Sequence, residues 1–179
     1  MSTISVPTRE QVSPTNPALF DGLKKGLGMV PNLYATLALS DTALDSYLQF
    51  QNAKSSLSGK AREVVNLVVS QVNRCDYCLA AHTVIGKMVG FTDEQVLEIR
   101  SGRASFDAKL DALAIFVKGM VEQRGHVNAE AVGAFLAAGW TQANLVDAIV
   151  VIGDKTVTNY LHGATRVAID FPAAPALAN

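Results

Sequence analysis

Both cysteines of this 179-residue chain, one of its three histidines and a glutamate fall between Glu63 and His82. At about 100° per residue on a helix, Cys78 and His82 lie within roughly 60° of Cys75, so the three share one face. A thiol pair, an imidazole and a carboxylate at one place can make a proton-relayed redox site. Cys75 and Cys78 are spaced so that a disulfide opens and closes with little backbone movement. Both are expected in the first turn of a helix, where unpaired N–H groups and the macrodipole favour a thiolate. His82, four positions after Cys78, is placed to take a proton from its thiol. Cys75, at the helix start, is expected to be exposed to an external reductant.

Plainer readings stand beside this one. Cys-x-x-Cys also occurs in zinc sites, but those want a further Cys or His pair, and none exists here. Two inert core cysteines, or a histidine packed on an apolar face, would leave no chemistry. Glu63 is not a capping residue, because Ala61 holds the N3 position if Ser58 caps the helix. Lys60 offers it a surface pair. Alternatively, Glu63 is a buried carboxylate with a raised pKa suited to passing protons to His82.

These residues need helices to hold them, and the chain supplies helical patterning throughout. Pro7, Pro14 and Pro17 keep the lead-in extended, and Asn16-Pro17 fits an N-cap with proline at the first helical position, opening a helix towards Gly26 and Gly28. Leu33 to Leu39 reads as a short helix, and Asp41 as the cap of the next, which carries Leu44, Tyr47, Leu48 and Gln51. Ser58 caps a helix whose Ala61, Val64, Val65, Leu67, Val68, Val69 and Val72 cover most of its circumference. That run is too long for a strand and lacks two-residue alternation. Asn73-Arg74 makes a turn into a helix from about Cys75 to Val89, ended by Gly90-Phe91. Thr92 to Gln95 is a capping box. Asp107 to Glu122 is amphipathic, with Leu110, Leu113, Ala114, Val117 and Val121 at helical spacing, and Asn128 starts a short helix ending near Gly139. Thr141 begins the last long helix, where Leu145, Ile149, Ile152, Thr156 and Tyr160 recur on one side. Phe171-Pro172 should end it, with a loose tail beyond. The expected fold is all-α, a multihelical bundle forming a single domain over 1–179.

Hydrophobic residues make up 49% of the chain and aromatics only 7%, with a mean hydropathy of +0.22. Small apolar residues favour close-packed helices and leave surface for subunit contacts, so a homo-oligomer is expected. Fifteen basic against 16 acidic residues give a net charge of −1, which suggests no nucleic-acid or membrane partner. The N-terminus lacks a signal-peptide pattern, and no apolar run reaches spanning length, so a cytoplasmic protein is expected. In a reducing compartment a lone Cys-x-x-Cys points to catalysis or metal binding rather than a structural staple.

Glu63, followed twelve positions on by Cys75-Asp-Tyr-Cys78-x-x-x-His82, resembles the core of the AhpD-like alkylhydroperoxidase/carboxymuconolactone decarboxylase family. Gly28-Met-Val-Pro-Asn-Leu, Leu57-Ser and Arg62-Glu63 are similar to its peroxidase-related members, and the likeness covers roughly residues 26–125. It implies an all-helical, cofactor-free enzyme assembled as a trimer or hexamer. Cys78 would attack a small-molecule peroxide, Cys75 would resolve it as a disulfide, and Glu63 and His82 would form the proton relay. The implied reductant is a lipoyl or thioredoxin-like dithiol. Some members carry a second histidine where this chain has Tyr77, which could donate a hydrogen bond but is no base near neutral pH. The decarboxylases of the family use no cysteine pair. Lactone decarboxylation, needing Glu63 and His82 but neither thiol, and a non-enzymatic redox-sensing helical oligomer are the alternatives. His126 is given no role. His162, Asn159 and Asp154 on the last helix form a candidate second polar cluster, set against a solvated or interface face.

Overall fold

A computed structural model describes residues 4–177, which form nine helices and no strand. In chain order these are α1 (Pro17–Leu27), α2 (Asn32–Leu37), α3 (Ala43–Gln51), α4 (Gly59–Val72), α5 (Asp76–Met88), α6 (Asp93–Ser101), α7 (Ala108–Glu122), α8 (Ala129–Ala137) and α9 (Gln142–Thr165). The all-α expectation holds. No single helix among the described residues is long and apolar enough to cross a membrane.

The chain divides into two compact units, one of residues up to Lys54 with Leu161–Asp170, the other of Ser55–Tyr160 with Phe171 onward. In the first, Phe20, Ala35, Ala38 and Leu44 form the core. Asn16 occupies the N-cap position of α1 as expected, but its side chain does not cap. Fully buried, it donates instead to the carbonyls of Ala38 and Ser40, 3.2 Å each. Asp41 does not cap α3 either. Thr42 holds that position, and the Ser40 hydroxyl takes the free N–H of Ala43 at 3.3 Å. Pro31 begins α2 without a capping side chain, and the Asp170 carboxylate accepts from Asn32 N at 2.7 Å in its place.

The second unit is built around α4, against which α5, α6 and α7 all pack. Ser58 caps it by accepting from Ala61 N at 3.2 Å. Val64, Val65, Leu67, Val68 and Val69 have no exposed surface. Burying each is worth about 1.5–3 kcal/mol, which outweighs the few tenths lost per residue by placing valine in a helix. At the end of α5, Gly90 at φ 94 lets its N–H reach Lys87 O while Phe91 N reaches Gly86 O, a left-handed cap that β-carbons would strain. The capping box of Thr92 and Gln95 is formed, and Asp107 and Asn128 cap α7 and α8.

Two expectations for the C-terminal region are corrected. The last helix stops at Thr165, six residues early, because Arg166 turns left-handed at φ 51. The expected loose tail is held as far as Pro175: the Phe171 ring meets Tyr77 edge-on at 5.6 Å, and Arg100 donates to Pro175 O at 2.6 Å. On α9, Leu145 and Ile152 pack on the core, whereas Ile149 and Tyr160 face outward at 42% and 67% exposure. Its inward side carries Ala148 and Val151, then Lys155, Thr158 and Asn159.

Candidate active site

Three short polar rows meet inside the second unit. On α4, Glu63, Asn66 and Ser70 recur at spacings of three and four, one buried stripe on an otherwise apolar helix. Cys75, Cys78 and His82 repeat that spacing across the start and first half of α5. Lys155 and Asn159, four apart, form the third row on α9.

The turn between α4 and α5 sets the first cysteine. Arg74 is left-handed at φ 54, its N–H reaches Gln71 O at 3.1 Å, and Cys75 N reaches Ser70 O at 2.9 Å. This is the helix-ending motif usually given to glycine. A side chain in that conformation costs about 1–2 kcal/mol, so local contacts must hold it. Among these, Asn73 donates to Asn159 Oδ1 at 2.9 Å.

Cys75 therefore ends one helix and caps the next. Its sulfur accepts from Cys78 N at 3.3 Å, as a serine oxygen would in an N-cap. Cys78 follows at the third helical position. The expectation of an exposed Cys75 fails: it is 1% exposed and Cys78 3%. Serving as cap draws the thiol inward, beneath the turn.

The two thiols are driven apart electrostatically. A hydrogen bond from the Cys75 thiol is the largest influence on Cys78. Burial opposes it, and the charges of Lys155 and His82 and the Asn159 amide assist, bringing Cys78 down to about 6. The same bond, then burial and the charge on Cys78, push Cys75 upward. The pair thus keeps its proton on Cys75 and its negative charge on Cys78, a polarity suited to nucleophilic attack by Cys78.

Glu63 Oε2 lies 2.7 Å from His82 Nδ1, and Asn66 donates to the other carboxylate oxygen at 2.8 Å. Here the expected rise in the pKa of Glu63 is overturned. Burial alone would raise it and is the largest single influence. The His82 charge, the hydrogen bonds from His82 and Asn66, and the Lys155 charge together outweigh burial and lower it. Glu63 is an anion that orients His82 rather than a neutral acid. Lys60 does not pair with it; its ammonium sits 5.2 Å over the Phe91 ring.

The structure thus brings Glu63, Cys75, Cys78 and His82 into one buried cluster. Tyr77 is also buried, with its ring turned to Phe171. His126 is exposed in the loop before α8. Asn159 is hydrogen-bonded to Ser70 and Asn73. It joins the thiols, while His162 Nε2 meets Val167 O at 3.3 Å. Asp154 is buried, with Oδ1 lacking a hydrogen-bond partner among the described residues. Lys155, Asn66 and Ser70 were not anticipated. The α4 row was readable as polar residues at helical spacing in an apolar run; Lys155, in a distant helix, carried no local signal. Among the described residues, no group of three or more His, Cys, Asp or Glu is arranged to hold a metal ion.

Comparison with known proteins follows this geometry. Residues 40–118 match the profile of the carboxymuconolactone decarboxylase family. No curated protein sequence matches the chain. Among solved structures, an uncharacterized peroxidase-related protein from Silicibacter sp. TM1040 superposes with a TM-score of 0.81 at 22% identity, covering 93% of this chain and 91% of that one. An alkylhydroperoxidase AhpD core protein from Ralstonia eutropha JMP134, also peroxidase-related, gives 0.85 at 18% identity, over 94% and 92%. A cysteine-to-alanine form of the debrominase Bmp8, in complex with 2,3,4-tribromopyrrole, gives 0.77 at 13% identity, over 95% and 94%. At these identities the likeness shows a shared AhpD-like all-helical fold.

Proposed function

We propose that this chain, which over residues 40–118 matches the profile of the carboxymuconolactone decarboxylase family, is a member of that family and a dithiol peroxidase of the alkylhydroperoxidase kind. The observation that carries this reading is the polarised thiol pair beside the Glu63–His82 pair, with Cys78 brought down to about 6. A thiolate populated at neutral pH is the species that attacks peroxides, and a protein that only decarboxylates lactones has no use for one.

In the proposed cycle the Cys78 thiolate attacks the terminal oxygen of a hydroperoxide. An S–O bond forms as the O–O bond breaks, giving a sulfenic acid and an alkoxide. With Nδ1 held by Glu63, His82 presents Nε2 as its exchanging nitrogen, and its proton converts the alkoxide to alcohol. Cys75 then attacks the Cys78 sulfur. The S–S bond forms, hydroxide leaves and takes the Cys75 proton, and water departs. Peroxide has been reduced by two electrons and the thiol pair oxidised by two. A small dithiol, lipoyl or thioredoxin-like, returns the electrons by exchange through a mixed disulfide.

We place the protein in the cytoplasm, where thiols are kept reduced, and infer a homo-oligomer, trimeric or hexameric by resemblance. Support for assembly comes from α9, whose outer side exposes Val146, Ile149, Val150, Val157 and Tyr160. The test of function is to add one equivalent of peroxide to reduced protein and count thiols. Loss of both as one intramolecular disulfide per chain supports the reading. Unchanged thiols, with turnover of a lactone or of 2,3,4-tribromopyrrole instead, would redirect it.

A further inference from the structure

We propose that Lys155 and Asn159 are positioning residues that hold Cys78 in its anionic, attacking form, so that α9 completes the thiol centre. This rests on the reading of Cys78 as the attacking thiol. The two residues lie outside the profile match, which ends at residue 118, whereas α9 begins at Gln142.

Lys155 is only 3% exposed, and among the described residues it forms no salt bridge. A buried ammonium without compensating negative charge is costly. Within the site its charge acts on Glu63 and on Cys78, while the buried carboxylate of Asp154 is its neighbour along α9. Both oxygens of Glu63 are already engaged, one by His82 and one by Asn66. The remaining share of the compensation falls to Cys78, which is stabilised as a thiolate in return.

Asn159 is set by its other contacts. Its carbonyl oxygen accepts from Asn73 at 2.9 Å, which fixes which end of the amide faces the cluster. The NH₂ end is therefore turned to Ser70 Oγ, 3.4 Å away, and to the two sulfurs. A donor held there favours a charged sulfur over a neutral one. Because Asn73 belongs to the turn that places Cys75, α9 also fixes the resolving thiol relative to the attacking one.

The ionisable groups bearing on Cys78 are Cys75 and His82 from its own helix, Lys155 from α9, and Glu63 of α4 through His82. The experiment titrates the ultraviolet absorbance of the thiolate against pH, with Cys78→Ser as the blank and the melting temperature of each variant recorded. Unchanged protein should ionise with a midpoint near 6. Lys155→Met should lower the acid dissociation constant of Cys78 about tenfold or more, the usual size of a lost close charge, and Lys155→Arg should restore most of it. Asn159→Leu should shift it in the same direction by less, and it decides the matter if the methionine variant does not fold. A folded Lys155→Met or Asn159→Leu protein with an unmoved midpoint would overturn this proposal alone. A midpoint near that of a free thiol in unchanged protein would instead overturn the assignment of Cys78 as the nucleophile.

Discussion

Glu63 Oε2 and His82 Nδ1 stand 2.7 Å apart, joining α4 to α5 with both side chains about nine-tenths buried. Asn66, one turn along α4, holds the second carboxylate oxygen. The pair fixes the orientation of the imidazole ring and leaves its far nitrogen to exchange protons, the arrangement a proton shuttle needs.

Breaking that pair should slow the attack on peroxide. Glu63→Gln and His82→Ala are each expected to reduce the rate of Cys78 oxidation by about 10²–10⁴, the span of a lost general acid–base contribution. The double variant should be little worse than either single one, because the two act as a unit. Stopped-flow oxidation at neutral pH reads both points, and independent, multiplying losses would rule out the relay.

Acid stability should carry the signature of Glu63. Its folded-state pKa lies below the unfolded value of about 4.3, so its stabilisation is complete above that value and is lost as pH falls through the folded pKa. Urea midpoints followed from pH ~6 to ~3 should therefore drop more steeply for unchanged protein than for Glu63→Gln. Parallel curves would show that the carboxylate gains nothing from its partners.

The outer side of α9 should be covered in solution. Val150→Glu or Val157→Glu places a charge among the exposed apolar residues of that face. Either change is expected to lower the sedimenting mass at micromolar concentration while leaving the helical circular dichroism spectrum intact. A monomer in the unchanged protein would contradict the assembly directly.

Peroxide reactivity should rise with pH and level off above about 6, the midpoint set for Cys78. Cys75→Ala removes the largest contribution to that midpoint and should move the rise to higher pH. A profile unaffected by the loss of Cys75 would mean that the two sulfurs do not share a proton.

Much of the fold was legible because helix ends carry local chemistry. Ser58, Thr92, Asp107 and Asn128 each cap where their residue type and position indicate. The exceptions are places where a distant group wins. Asn16 gives its amide to carbonyls over twenty residues away, and Asp170 caps a helix that Pro31 cannot. The motif residues were legible as a shared helical face. The burial of Cys75 was not, because its capping role depends on Arg74 adopting a left-handed turn that nothing in its residue type requires. The lowered Glu63 was equally out of view, since it depends on charges from α5 and α9 outweighing burial. The charge of Lys155 bears on Cys78 only through the packing of α9, to which local sequence is blind.

The most direct test of the account is where peroxide first places oxygen. Cys75→Ser protein is treated with peroxide, trapped with a sulfenic-acid reagent and read by mass spectrometry of the peptide carrying both positions. The account predicts a sulfenic acid on Cys78, and little reaction of Cys75 in the Cys78→Ser protein. A sulfenic acid on Cys75 in Cys78→Ser, with Cys78 inert in Cys75→Ser, would contradict it and reverse the two roles.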